Sequence, residues 1–378
     1  MRSPATLPVF CVLLLSSSRL QGQTHVEVIS ESNFNVRVIS ANLTSGNNQR
    51  YETPGLHILK ALKPDIVAIQ EFNYASTNNA GLNTPGAFRE MTGSVFGTNF
   101  VYYRETNSGY SIPNGVISRW PIGESGEWID DDTGVNDRGF AWARIELPGS
   151  ARLYIVSVHL KASGSDAARR AAEAAQLKSL ILSNFPASSF LAVAGDLNIS
   201  SSNETALATL KTFLSDNPIP TDAETGGDPD TNTNRQRRYD YILPGFELAL
   251  NQVATVIGSH TFPQGLVFDS RVYMPLAEVS PVVSTDSGVA GMQHLAVVKD
   301  FRFTATITNL VPVPRPVLTL TSTNILRWEG LPNLTYRVGG ASNLNTWLNL
   351  GTATSATTNY CFTNTEPSGR WFYRVSWP

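Results

Sequence analysis

Apolar positions recur along this chain in two rhythms, one of period two and one of helical spacing. Phe34 to Asn42 alternates and then turns apolar, which predicts a strand that ends on a polar residue. Thr53-Pro54-Gly55 offers a cap and a first-turn proline. Leu56, Leu59 and Leu62 then recur at helical spacing until Lys63-Pro64 stops the helix. Ile66 to Phe72 is apolar until Gln70 and Glu71, a second strand whose carboxylate sits where the buried run emerges. Strand, helix and strand within so short a span indicate a layered α/β fold.

Further along, Asn73 to Gly97 reads as loop with a short helix near Phe88, and Asn114 to Ile122 as a strand closed by a turn. Ala141 to Leu147 and Leu153 to Leu160 are two strands joined at Pro148-Gly149, the second ending near His159. A helix is predicted from about Ala167 to Phe185. Its Ala174, Leu177, Leu180 and Ile181 share one face, with Arg169, Arg170, Glu173 and Lys178 largely outside it. Phe190 to Ser200 is the clearest stretch. Its uncharged run predicts a strand buried on both faces, broken at Gly195 where Asp196 and Asn198 follow, although Gly-Asp is also ordinary turn chemistry. Thr205 to Leu214 predicts a short helix, Ile219 to Asn234 a loop, and Tyr239 onward a strand carrying Asp240. His294 opens the last strand of this region, and Gly245 to Met292 is weakly patterned.

The carboxyl-terminal part differs in kind. Val311-Pro-Val-Pro-Arg-Pro reads as a stiff linker, and residues 318–378 contain no Lys or Asp but four of the seven tryptophans, in short alternating runs. We therefore expect residues 24–310 to form one domain, 311–317 a linker and 318–378 a small antiparallel β domain. Its tryptophans either fill the core of that small unit or meet glycan at a cell surface.

At the other end, Arg2 followed by apolar Leu7 to Leu15 has the outline of a secretory signal over residues 1–23, too short to span a bilayer. The expected location is secreted or periplasmic, and no later stretch is apolar enough for a transmembrane segment. Cys11 would leave with the signal, so Cys361 remains without an internal partner. With 378 residues, 42% hydrophobic and 16% charged, the chain is globular, and a net charge of −3 leaves no global basic surface for sequence-reading of nucleic acid.

Collected from the strand ends, the polar residues are Asn42, Glu71, His159, Asp196, Asn198, Asp240 and His294. Each has an ordinary structural role open to it. The ordered set, in the stretches Ser40-Ala-Asn42, Ala68-Ile-Gln-Glu71-Phe, Ser118-Arg-Trp-Pro-Ile, Ser157-Val-His159-Leu-Lys161, Gly195-Asp196-Leu-Asn198, Tyr239-Asp240-Tyr-Ile-Leu and Gln293-His294-Leu-Ala-Val, resembles the endonuclease/exonuclease/phosphatase superfamily over about Val36 to Phe303. The resemblance implies a four-layer α/β sandwich of two packed mixed sheets flanked by helices. It also implies a monomeric, Mg²⁺-dependent phosphodiesterase, with Mn²⁺ an acceptable substitute and DNA or RNA the leading substrate. Sphingomyelin and inositol phosphates are the next candidates, and a binding protein with weakened catalysis is the remaining alternative.

Roles follow from the chemistry together with that resemblance. Asn42, Glu71 and Asp196 supply the hard oxygen donors that Mg²⁺ prefers. His294 with Asp240 forms a histidine–carboxylate pair, His159 and Asn198 reach phosphoryl oxygens, and both Asp196 and His294 are eligible as the base. Lys161 and Arg238, the latter in the basic run Arg235-Gln-Arg237-Arg238, are candidates for holding substrate phosphate, or else belong to a solvated loop. One departure stands out. The family usually has an aspartate before the final histidine, where this chain has Gln293, and Asp286 is the upstream carboxylate that could replace it.

Overall fold

The structure is a computed structural model that describes residues 24–75, 82–106, 112–130, 138–224, 226–313, 316–322, 324–343, 345–365 and 371–376. The expected signal segment, residues 1–23, lies outside the described residues, as does Trp377. Contacts divide the chain into Glu31–Thr306 and a second unit, Ile307–Pro378 together with the first part of its opening strand, to Ser30.

The opening strand β1 (Thr24–Ala41) leads to helix α1 (Thr53–Leu62) and strand β2 (Ile66–Ile69). Helix α2 (Pro85–Val95) and strands β3 (Val101–Arg104), β4 (Gly115–Ser118), β5 (Ile122–Trp128), β6 (Phe140–Glu146) and β7 (Arg152–His159) follow. Then come α3 (Ala167–Asn184), β8 (Phe190–Asp196), α4 (Thr205–Leu210), β9 (Asp240–Pro244) and α5 (Phe246–Ala249). The weakly patterned stretch contains β10 (Gln252–Val253), β11 (Thr255–Ile257), β12 (His260–Phe262) and β13 (Leu266–Phe268) before β14 (Ala296–Pro312). Each of those four strands has only two or three residues, too few for a period to register. The predicted strand Asn114 to Ile122 is divided between β4 and β5, and β14 runs on through Pro312 into the segment expected to be linker.

Two mixed sheets result. One has the order β10-β14-β1-β2-β4-β3 with β13 also paired to β14, and the other the order β5-β6-β7-β8-β9. Between them lies a core to which Val36, Val38, Ile66, Ala68 and Val116 contribute from the first sheet and Ala143, Ile155, Ala192, Ala194 and Ile242 from the second. The first sheet's other face is covered by α1 and α2 through Ile58, Leu59, Leu62, Phe88 and Met91. The second sheet's other face is covered by α3 and α4 through Ala174, Leu177, Ile181, Leu207 and Leu210. This is the four-layer α/β sandwich, since each sheet buries alternate side chains on its two faces.

Helix α3 carries a correction. Arg170 is fully buried and Glu173 is buried, although their spacing puts them outside the apolar stripe. Arg170 earns that position by long-range bonds: its guanidinium forks onto Glu204 at 2.8 and 2.9 Å and donates to Lys161 O and Ser163 O at 3.0 and 2.6 Å. Glu173 accepts from Lys161 N at 2.9 Å. Paired in this way, both charges tolerate burial, and they hold the loops that follow β7 and β8.

The second unit contains β15 (Thr319–Ser322), β16 (Ile325–Glu329), β17 (Thr335–Ala341), β18 (Leu348–Thr354), β19 (Asn359–Thr363) and β20 (Phe372–Ser376). They form two antiparallel sheets, β15-β16-β19 and β18-β17-β20. Trp328 is buried and stacks on Tyr360 at 5.4 Å, in a core with Leu326, Tyr336 and Val338. Trp347 is half-buried beneath Arg374 at 4.5 Å, and Trp371 stacks on Tyr373. Among the described residues no helix is long and apolar enough to cross a membrane, and Cys361 is a free, exposed thiol. Because the Glu31–Thr306 unit has its own three-part core, a chain truncated after Leu310 should keep a cooperative unfolding transition in urea. A broad, non-cooperative melt of that truncated chain would show the two units to be interdependent.

Candidate active site

The site lies where the strands of the two sheets end. In the second sheet, His159 at the end of β7 is in register with Asp196 at the end of β8, and Asp196 with Asp240 at the start of β9. Residues directly opposite across strands put their side chains on the same face, so three polar groups from distant positions share one row. In the first sheet, the parallel pairing of β1 with β2 matches Ala41 to Ile69, which brings Asn42 and Glu71 out at the same edge. Gly195 is obligatory beneath this row. Its φ is +149°, and a Cβ there would sit 1.9 Å from Val158 O. Glu71 and Asn198 take left-handed φ values of +50° and +49°, unusual for side-chain-bearing residues and a local strain that the surrounding packing holds in place.

Asp196 is the hub. Its Oδ2 lies 3.2 Å from His159 Nε2, 3.4 Å from His294 Nε2 and 3.3 Å from Asn42 Nδ2, while Oδ1 accepts Asn198 N at 2.8 Å. Burial by itself would raise the Asp196 carboxyl, but the two imidazoles and the Asn198 N–H hold it well below the usual carboxylate range. His294 Nδ1 meets Asp240 Oδ2 at 2.9 Å, and the same oxygen accepts the Thr231 hydroxyl at 2.8 Å. Burial opposes a charged imidazole, yet the flanking Asp240 and Asp196 push His294 up to about 10. With Asp240 accepting at Nδ1, the ring is fixed with Nε2 turned toward Asp196.

The donor set fits a divalent metal. Glu71 Oε1 lies 3.5 Å from Asn42 Nδ2, and Glu71 Oε2 accepts the Thr44 hydroxyl at 2.5 Å, so two buried carboxylates flank one amide. Asn42 Oδ1 and Asp240 Oδ1 are buried acceptors without a hydrogen-bond partner among the described residues. Orphaned oxygens of this kind are costly unless a cation or water engages them. With the Asn42 amide turned so that Oδ1 rather than Nδ2 faces Glu71 and Asp196, these three would hold a divalent cation through oxygen. A second grouping overlaps with it: one ligand atom each from Asp196, Asp240 and His294 lies within 4.8 Å of the others.

Several of the remaining candidates have partners of their own. Asn198 Nδ2 donates to Leu160 O at 3.0 Å, so this amide ties the β8 loop to the β7 loop and has one N–H left for a substrate oxygen. Arg238 pairs with Asp216 at 2.7 Å and lies over the Tyr241 ring at 4.1 Å. Arg235 is held by Asp222, Glu224, Asp228 and Asp269 together. Arg237 is exposed, and Lys161 is half-buried, its backbone N–H donating to Glu173 at 2.9 Å. Asp286 does not replace the carboxylate expected before His294, since it bonds His57 Nδ1 at 3.2 Å and Val283 N at 2.9 Å. Gln293 is exposed, and its backbone carbonyl accepts Thr233 N at 3.0 Å.

Thr231 was not foreseen. Fully buried, it donates to Asp240, accepts Tyr239 N and Asp240 N at 2.9 and 2.8 Å, and its carbonyl accepts Leu295 N at 2.6 Å. One threonine thereby ties Asp240 to the residue beside His294. A lone Thr in a loop rich in Asp, Thr and Gly gives no sequence signal of this.

A family model described as "Endonuclease/Exonuclease/phosphatase family" matches residues 34–262. No curated protein sequence matches the chain. Among solved structures, the chain is similar to an endonuclease/exonuclease/phosphatase from Beutenbergia cavernae DSM 12333, at 16% identity over 91% of this chain and 100% of that one, with a TM-score of 0.45. It is also similar to D. rerio TDP2 complexed with single strand DNA product, at 14% identity over 71% and 98%, TM-score 0.46. The human Nocturnin catalytic domain with bound sulfate anion matches at 14% identity over 74% and 97%, TM-score 0.46.

Proposed function

This chain belongs to the endonuclease/exonuclease/phosphatase family, and from that premise we propose that the cluster around Asp196 hydrolyses phosphate esters by metal-assisted attack of water. The observation that carries the reading is the buried row His159–Asp196–Asp240, closed by His294 across the strand ends. A divalent ion, Mg²⁺ by donor chemistry, would be held by Asn42, Glu71 and Asp196 and would offset charge on the phosphate oxygens. The chain's own residues then divide the remaining work. Asp240, fixed by Thr231, orients His294 so that a proton is held or moved at Nε2. In this reading His159, whose Nε2 faces Asp196 Oδ2 at 3.2 Å, donates to a phosphoryl oxygen when substrate enters. Asp196 stays ionised and orients the attacking water.

Purified protein offered plasmid DNA, RNA, sphingomyelin and phosphomonoesters, with Mg²⁺ and then with chelator, tests this directly. Hydrolysis should require the divalent ion, and Glu71→Gln should lower kcat by at least about 100-fold, because a neutral amide replaces a charged ligand. Full activity in chelator, or an unimpaired Glu71→Gln enzyme, would overturn the metal assignment.

A further inference from the structure

The unit Glu31–Thr306 contains 21 Lys and Arg against 28 Asp and Glu, a net charge of −7, so it is more acidic than the whole chain at −3. Residues 76–81, 107–111, 131–137 and 225 contain no lysine or arginine, and 131–137 contributes Asp131, Asp132 and Asp137. Several arginines of this unit are already engaged, while Arg237, in the loop before Asp240, is exposed. Arg235 sits among four carboxylates, Arg238 pairs with Asp216, Arg170 with Glu204, and Arg169 with Asp130 and Glu173. Arg104 donates to Phe72 O and Asn73 Oδ1 at 2.7 and 2.9 Å. A protein that tracks a nucleic-acid backbone needs the opposite, a stripe of basic side chains turned outward to neutralise successive phosphates. An acidic surface repels a polyanion at every phosphate beyond the one being cleaved.

We propose, building on the phosphoester reading above, that this site takes a small soluble ester presenting a single phosphate, and that extended DNA or RNA is a poor substrate. The charge of one phosphate can be offset locally by a bound divalent ion, and its oxygens can accept hydrogen bonds from ring and amide N–H groups at the strand ends such as the second N–H of Asn198, without a basic groove. The ester's other substituents then contribute recognition through uncharged contacts.

The test measures kcat/KM of the full chain with Mg²⁺ on a dinucleotide, an aryl phosphodiester, a phosphomonoester, short and long single strands, plasmid DNA and sphingomyelin vesicles. Each soluble substrate is followed between about 50 and 200 mM salt. One neutralised phosphate predicts a fall of less than about fourfold over that range, whereas six or more contacts predict about a thousandfold. The proposal expects the small esters to match or exceed the polymers per scissile bond, with the shallow salt response. A kcat/KM that grows tenfold or more with strand length, a fall of a hundredfold or more with salt, or a preference for vesicles would overturn it. Failure to hydrolyse any phosphate ester, with or without metal, would instead remove the phosphoester reading on which it rests.

Discussion

Replacing His294 with Gln, or Asp240 with Asn, should lower kcat by about 10²- to 10⁴-fold with little change in KM, the range over which a positioned acid–base group contributes. The two variants act on one unit. Asp240 Oδ2 accepts both the Thr231 hydroxyl and His294 Nδ1–H, and an asparagine in its place can turn only one acceptor toward them. If its amide N–H₂ faces the ring, Nδ1 becomes the acceptor and the proton moves to Nε2, reversing the tautomer presented to Asp196. The double variant should therefore be scarcely worse than either single one, because groups acting as a unit are not additive. Steady-state kinetics of the two single variants and the double variant, on whichever phosphate ester the wild type hydrolyses, decide the matter. Losses under tenfold, or losses that multiply in the double variant, would separate Asp240 from His294 and leave the dyad without a catalytic role.

How much of this was legible in the sequence depended on the range of the interactions. β8 could be read from Phe190 to Asp196 because a buried strand needs only an uncharged apolar run, and α1 because Pro54 and Lys63-Pro64 punctuate it locally. Positions at strand ends were legible too, since polarity returns where burial stops. What decided the rest lay far away in the chain. The burial of Arg170 is explained by Glu204, and the engagement of Arg238 by Asp216, neither of which leaves a periodic trace. The tie from Arg235 to Asp222, Glu224 and Asp228 was more accessible, because three carboxylates precede that arginine within a single loop. Reading the basic run from Arg235 to Arg238 together with its acidic neighbours would have indicated internal pairing.

Lys299→Met should stabilise the protein at pH 7 by on the order of 3 kcal/mol, and the gain should shrink as the pH rises. On β14 the alternate residues Val297, Phe301 and Phe303 face the core between the sheets, and the period of two puts Lys299 on that same face. Its side chain is fully buried, and its Nζ has no hydrogen-bond partner among the described residues. Burial, with Arg238 nearby adding repulsion that Asp216 only partly offsets, pushes the amine down to about 7. An unfolded lysine titrates near its ordinary value of about 10.4, so between about pH 7 and 10 the unfolded chain binds a proton that the folded chain does not. Wild-type stability should accordingly rise with pH across that window, and below about pH 7 the cost of the buried charge is fully present and flat. Methionine fills a similar volume without the charge, so the variant should start higher and lack this rise. Urea unfolding of both proteins between pH 6 and 9.5 measures the difference. Parallel stability curves, or a variant less stable than wild type at pH 7, would mean that the amine reaches a compensating partner in the folded protein.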